Sequence, residues 1–193
     1  MLDLLRLLTG LATLLATAAC AYLLALTLLS RALPRRARGG EDLRFAIVVP
    51  AHDEAAGIER TVASLRALDW PRYQLQIVVV ADNCSDSTGA LAAGAGATVL
   101  ERQDAVHRGK GYALDHAFRN LLDQGWADAM VVIDADSEAD KHLLRELAAA
   151  IAGGARALQA HYAVLNPHDS WRTRLMTIAM SAFHTVRSRG RER

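Results

Sequence analysis

Cysteine is scarce in this chain, and neither charge sign predominates. Of its 193 residues two are cysteine, and the formal net charge is +1. Cys20 lies in an apolar run and Cys84 in a polar stretch, so the sequence offers neither a disulfide framework nor a cluster of zinc ligands. The near-neutral balance gives no reason to expect nucleic acid as a partner. There is no Gly-x-Ser-x-Gly elbow, no pair of metal-spaced histidines and no Cys–His arrangement, and the seven histidines are scattered. Hydrolysis through an activated nucleophile is therefore disfavoured. Internal repeats and low-complexity tracts are also lacking.

What is present begins with a long apolar run. Leu7–Ser30 contains no charged residue and is dominated by Leu and Ala. At 1.5 Å per residue it spans roughly the 30 Å of a bilayer's hydrocarbon core. A cleaved signal peptide has a shorter apolar stretch, about 7–15 residues, behind a basic start, whereas here Asp3 and Arg6 cancel. Arg31, Arg35, Arg36 and Arg38 follow at once. Positive residues on that side predict a single-pass inner (plasma) membrane anchor with the rest of the chain in the cytoplasm. The expected organisation is a transmembrane helix over 1–30, a basic linker over 31–43 and a soluble domain over 44–193.

The soluble part alternates short apolar runs with helical periodicity. Strands are predicted at Phe45–Val49, Gln76–Val80, Thr98–Leu100, Ala129–Ile133 and Ala155–His161. Helices are predicted at Ala56–Leu68, Ser85–Ala93, Tyr112–Leu122 and Lys141–Ala152. Alternating β and α with apolar strands implies an α/β fold, a mostly parallel sheet sandwiched by helices. Ligands of such sheets bind beyond the strands' carboxyl ends, which directs attention to the polar residues that follow each strand.

Three of those turns are acidic. Pro50-Ala51-His52-Asp53-Glu54 follows the first strand, Asp82 closes the second, and Asp134-Ala135-Asp136 follows the fourth. In an extended strand, residues two apart face the same side, so Asp134 and Asp136 can converge on one hard divalent cation, Mg²⁺ or Mn²⁺. Such an ion would offset diphosphate charge. The Asp82 carboxylate can accept from a base or a ribose, and Asp86 suits a structural cap. Glu54 is placed to reach a ribose or base, with the backbone around Ala51 and His52 as one wall. Arg108-Gly109-Lys110-Gly111 precedes a helix, where free N–H groups and Lys110 suit a phosphate or a donor sugar. It is not a Walker A loop: residue 104 is Asp and Gly111 stands where Ser or Thr is required.

Together these segments resemble glycosyltransferase family 2, inverting nucleotide-sugar transferases of the GT-A fold. The resemblance runs from about Arg44 to Gly190, and Gln159, Asn166-Pro167 and Trp171 look like its cellulose-synthase-like branch. It implies that Asp82 binds the donor base, usually uracil, with Glu54 at the nucleoside and Pro50, Ala51 and His52 alongside. It also implies that Asp136 is the principal metal contact, that Asp134 assists through the donor ribose or sugar, and that Lys110 lies near the donor. The implied reaction is direct displacement at the anomeric carbon of a UDP-sugar by a saccharide or lipid-linked acceptor, in extracellular or cell-envelope polysaccharide synthesis.

Relatives carry a further acidic residue that deprotonates the acceptor. After Asp136 this chain offers Glu138, Asp140, Glu146, Asp169 and Glu192, none in that context, so no catalytic base is identified. The expectation is a truncated reading frame, or a second polypeptide that supplies the remainder. Two alternatives stay open. One is an inactive or split donor-binding subunit. The other is a metal-dependent nucleotidyltransferase, which would be expected to carry a Gly-rich basic loop straight after the first strand.

Overall fold

The computed structural model describes residues 2–29 and 39–182. Residues 31–38 of the expected basic linker over 31–43, and the basic stretch Arg187–Arg193, lie outside the described residues. The chain falls into two compact units, Arg36–Leu158 and a second made of Met1–Arg35 with Gln159–Arg193.

In the larger unit the strands are β1 (Phe45–Ala51), β2 (Leu75–Asp82), β3 (Thr98–Arg102) and β4 (Ala129–Val132), all parallel, in the order β3-β2-β1-β4. β1 is central because its residues can be buried on both faces: Phe45 to Val49 are fully buried. Side chains alternate across a strand, and here the alternation separates two cores. Phe45, Ile47, Val49, Ile77 and Val79 pack toward Ile58, Val62 and Leu65 of α2 (Ile58–Arg66), Ala92 of α3 (Thr88–Gly94) and Leu144 and Ala148 of α5 (Leu143–Ala152). Ala46, Val48, Val78 and Val80 pack toward Ala113, Ala117 and Leu121 of α4 (Lys110–Gln124). Each fully buried Val, Ile or Leu contributes about 1.5–3 kcal/mol, so the two inner strands dominate the unit's stability.

Order 3-2-1-4 reverses direction at β1. From there the chain walks outward through β2 to β3, then returns by way of α4 to the other side of β1. A cleft beyond the strand ends is expected at such a reversal. At the opposite end of the sheet, Asp128 accepts from the Arg44 backbone N–H at 2.9 Å and from its guanidinium at 2.9 and 3.0 Å, joining the starts of β4 and β1. Gly40, at φ +82, passes so close to α5 that a Cβ there would sit 2.5 Å from the Ala148 carbonyl oxygen.

The expected fifth strand at Ala155–His161 is absent: that segment is irregular. It contains no β-branched residue, and its first amide is spent on the Ala150 carbonyl, 3.1 Å away, as α5 ends. The second unit contains α1 (Leu2–Leu29) and α6 (Trp171–Met180). At 28 residues α1 is long and apolar enough to cross a membrane. Thr13 and Thr17 return their hydroxyls to the carbonyls four residues back, each at 2.8 Å, so neither leaves an unmet donor on an apolar surface. Helix α6, not foreseen in the sequence, starts at a reciprocal cap between Ser170 and Thr173.

The Arg44 side chain holds the Asp128 carboxyl down at about 2, below its ordinary value near 3.9 in an unfolded chain. A depressed folded value means that the contribution is present above about pH 4 and lost as pH falls toward 2. Both side chains are more than a third exposed, so the contribution is at most about 1 kcal/mol. Urea titrations should find Asp128→Asn less stable than the parent at pH 6, with the gap closing as pH falls to 3.

Candidate functional site

The carboxyl ends of β1 and β2 and the start of α4 enclose a cleft of about 370 Å³, lined by Pro50, Ala51, His52, Glu54, Asp82, Asn83, Arg108, Gly109, Lys110 and Ala113. Its position follows from register: Ala51 pairs with Ala81, so both strands end at one level and release their loops together. Seven residues singled out in the sequence bear on this site. Pro50, Ala51, His52, Glu54, Asp82 and Lys110 line the cleft, and Asp134 joins it through an ion pair with Lys110 Nζ. Asp136 is exposed on the turn beyond β4 and does not line the cleft.

Two loops are held together by carboxylates. The Asp53 carboxylate accepts from the Ser85 backbone N–H at 2.7 Å. Asp86 accepts from the Ala55 N–H at 3.0 Å and from the Thr88 N–H at 2.9 Å. The Thr88 hydroxyl, followed by these amides, lowers the Asp86 carboxyl below its usual range; the cap position of α3 is Ser87, so Asp86 closes the turn before the helix rather than capping it. The Glu54 N–H donates to Thr88 Oγ1 at 2.8 Å, which fixes its backbone at the cleft rim. Asp53 and Asn83 sit at φ +53 and +52, a left-handed conformation that Asp and Asn tolerate better than most residues.

Asp82 is buried, and its partner was missed in the sequence. Its Oδ1 accepts from Arg102 Nη1 at 2.6 Å and from Asn83 Nδ2 at 3.1 Å, leaving Oδ2 as the oxygen open to a ligand. Arg102 continues to Asp104 at 3.0 Å and to the His107 carbonyl at 2.7 Å, with Tyr112 beside its guanidinium. The backbone N–H groups of His107 and Val106 bring the Asp104 carboxyl down to about 2. The sequence reading ended β3 at Leu100. The strand in fact reaches Arg102, which pairs across the sheet with Asp82. The usable signal was an Arg at the end of the strand next to one closing in Asp.

Helix α4 begins at Lys110 with Gly109 as its cap, at φ +108 and with no side-chain cap bond. Its first N–H groups thus remain available to an anion facing the cleft. On the other side, the supposed extended geometry of Asp134-Ala135-Asp136 does not hold. β4 stops at Val132, and residues 134–137 form a turn closed by the Ser137 N–H to the Asp134 carbonyl at 3.1 Å. Ala135 is buried, and its carbonyl accepts from Thr61 Oγ1 at 2.6 Å, which anchors the turn to α2. Among the described residues β4 pairs with β1 alone, and the ladder stops at Val48 and Val132. Among the described residues Asp136 makes no hydrogen bond or ion pair. The turn therefore presents two carboxylates, one held by Lys110 and one free, a donor set that fits a hard divalent cation.

The structure also gathers residues that the sequence kept apart. His52, Asp53 and Cys84 each bring a ligand atom within 4.8 Å of the others. The expectation of no Cys–His arrangement is thereby corrected. The parallel pairing of β1 with β2 places side by side two loops about thirty residues apart in sequence.

A parallel α/β sheet with a polar cleft at its reversal point, charged on both flanks, defines a class of proteins that bind anionic, nucleotide-like ligands. Within that class the chain belongs to glycosyl transferase family 2, whose model matches residues 46–191. It is 26% identical over 156 residues to the Bacillus subtilis (strain 168) protein named "Probable glycosyltransferase YdaM", covering 77% of this chain and 36% of that one. A mannosyltransferase of Pyrobaculum calidifontis, solved with GDP-Man and Mn²⁺, is similar in fold at TM-score 0.62 and 21% identity, over 86% of this chain and 48% of that one. Glucosyl-3-phosphoglycerate synthase of Mycobacterium tuberculosis, solved with Mn²⁺ and UDP among its ligands, aligns at TM-score 0.41 and 27% identity, over 50% of this chain and 36% of that one. The chain thus spans about a third to a half of the length of these proteins.

Removing the carboxylate from Asp82 strands a guanidinium that is only 11% exposed. Asp82→Ala should cost about 3 kcal/mol, the low end for breaking a buried pair because Asp104 still holds Arg102. The double variant Asp82→Leu/Arg102→Leu should lose less than Asp82→Ala alone, as read from urea midpoints by tryptophan fluorescence.

Proposed function

We propose that this chain is the donor-binding part of a membrane-anchored inverting glycosyltransferase. Residues 44–193 form its donor domain, and α1 is a single-pass anchor in the inner (plasma) membrane with that domain in the cytoplasm. The observation that carries the reading is the cleft itself. One oxygen of the buried Asp82 carboxylate, Oδ2, is left open at one end, and Lys110 with the bare N-terminus of α4 lies at the other. A nucleoside diphosphate has the matching polarity, a base with N–H donors and a doubly charged tail. Asp82 accepts from the base, Glu54 from the ribose, and Pro50, Ala51 and His52 form the wall. Lys110 and the helix N–H groups hold the phosphates.

Asp136 and Asp134 would hold Mg²⁺ or Mn²⁺, which supplies Lewis-acid stabilisation of the departing nucleoside diphosphate. The bound Mn²⁺ of the mannosyltransferase with the same fold supports a divalent ion. UDP is the proposed carrier, from the family resemblance, and a saccharide or lipid-linked acceptor completes the reaction in envelope or extracellular polysaccharide synthesis. No residue among those described is assigned as the base for the acceptor hydroxyl; further chain or a second polypeptide would supply it.

Calorimetry on the detergent-solubilised full chain tests this reading. UDP should bind in the presence of Mn²⁺, and Asp136→Ala should weaken that binding at least about tenfold, or 1.4 kcal/mol. Equal affinity in the two proteins would remove the metal assignment. A panel of nucleotide sugars, including GDP-mannose, would reveal whether uracil is the base selected.

A further inference from the structure

Beside the cleft, the loops after β1 and β2 build a second constellation with different donor chemistry. The His52 ring is oriented by Nδ1, which lies 2.8 Å from the carbonyl oxygen of Asp82. A carbonyl can only accept, so Nδ1 carries a proton, and in the neutral ring Nε2 is the nitrogen that holds the lone pair. That nitrogen lies 3.9 Å from Asp53 Oδ2. Asp53 is fixed in turn by its left-handed backbone and by Ser85, which donates to its carboxylate from N–H and hydroxyl. Cys84 completes the group, its thiol 3.5 Å from the Ala51 carbonyl, with all three ligand atoms within 4.8 Å of one another. A histidine whose second nitrogen is tied to a backbone carbonyl is the arrangement that orients metal-binding imidazoles.

We propose that His52, Asp53 and Cys84 bind one Zn²⁺ ion, at a site separate from the Asp134–Asp136 turn. One nitrogen, one oxygen and one sulfur donor suit Zn²⁺, and the sulfur selects against Mg²⁺ and Mn²⁺. Three protein ligands leave a fourth position for water. On binding, the S–H bond of Cys84 is replaced by an S–Zn bond and the proton passes to solvent, with no change of oxidation state. Tetrahedral bond lengths require the ligand atoms to draw in to roughly 3.3–3.7 Å, a closure of about an ångström between two surface loops. Because His52 also lines the cleft, an ion here clips the two loops together and fixes one wall of the pocket.

The test uses the full chain in detergent. Zn²⁺ is titrated against a chromophoric chelator, and Co²⁺ is titrated while the absorption spectrum is followed. One equivalent of each is expected, with a thiolate-to-cobalt charge-transfer band that Cys84→Ser abolishes and Cys20→Ser retains. Cys84→Ser and His52→Gln should each weaken Zn²⁺ at least about 100-fold, the upper end of the loss seen when only a supporting partner is removed. Asp136→Ala and excess Mn²⁺ should leave the Zn²⁺ affinity unchanged. A cobalt complex of the unaltered chain without the thiolate band overturns the proposal, even if the variants fail to fold. Zinc affinity that follows Asp136→Ala, or survives Cys84→Ser, overturns it as well, while the donor reading stands or falls separately on UDP binding.

Discussion

The buried pairing of Asp82 with Arg102 is the constraint around which the larger unit is arranged. Two charges removed from water must be matched, and their hydrogen-bonding capacity filled, or the fold loses several kcal/mol. Here the matching fixes more than two side chains. It sets the level at which β2 and β3 end, and it draws Asn83, Asp104 and the His107 carbonyl into one network. The loop that leads into α4 is thereby tied to the floor of the cleft. One oxygen of Asp82 is saturated so that the other can be held still.

Charge on the opposite flank is organised differently. Lys110 and Asp134 meet near the surface, where solvent keeps the pairing weak and exchangeable, while Asp136 has no partner among the described residues. A rigid, internally satisfied carboxylate on one side and a loosely held pair on the other give the cleft a fixed end and an adaptable end. That division suits recognition of an uncharged ring at the first and of mobile negative charge at the second.

Much of this was legible in the sequence because period and position carry it. FAIVV and QIVVV are short β-branched runs bounded by turn residues, and they became the two inner strands. The rule that ligands gather beyond strand ends singled out Pro50, His52, Glu54 and Asp82, and the glycine-flanked helix start singled out Lys110; all of them line one cleft. What stayed hidden depended on pairing between strands, which no local window contains. Arg102 lies two residues past the predicted strand Thr98–Leu100, and its role depends on its register with Asp82; Cys84 looked solitary until β1 and β2 lay side by side. The segment Ala155–His161 failed for a different reason: its apolar residues suggested a strand, but none is β-branched. Asp134 and Asp136 were read as two residues of one extended strand, whereas the ladder had already ended at Val132 and a turn presents them.

The separation of odd and even residues of β1 into two independent cores has a consequence for how this gene can change. Adding or deleting one codon within Phe45–Ala51 would exchange the inward-facing groups on one side of the change between the three-helix side and the single-helix side. Phenylalanine and isoleucine would be driven against the alanines of α4, and alanine left to fill the space beneath α2. The same frameshift in side-chain phase would turn the Pro50–Glu54 loop away from the cleft it walls. Length variation in this protein is therefore confined to segments outside the central strand, and β1 tolerates change only by exchange of one residue for another.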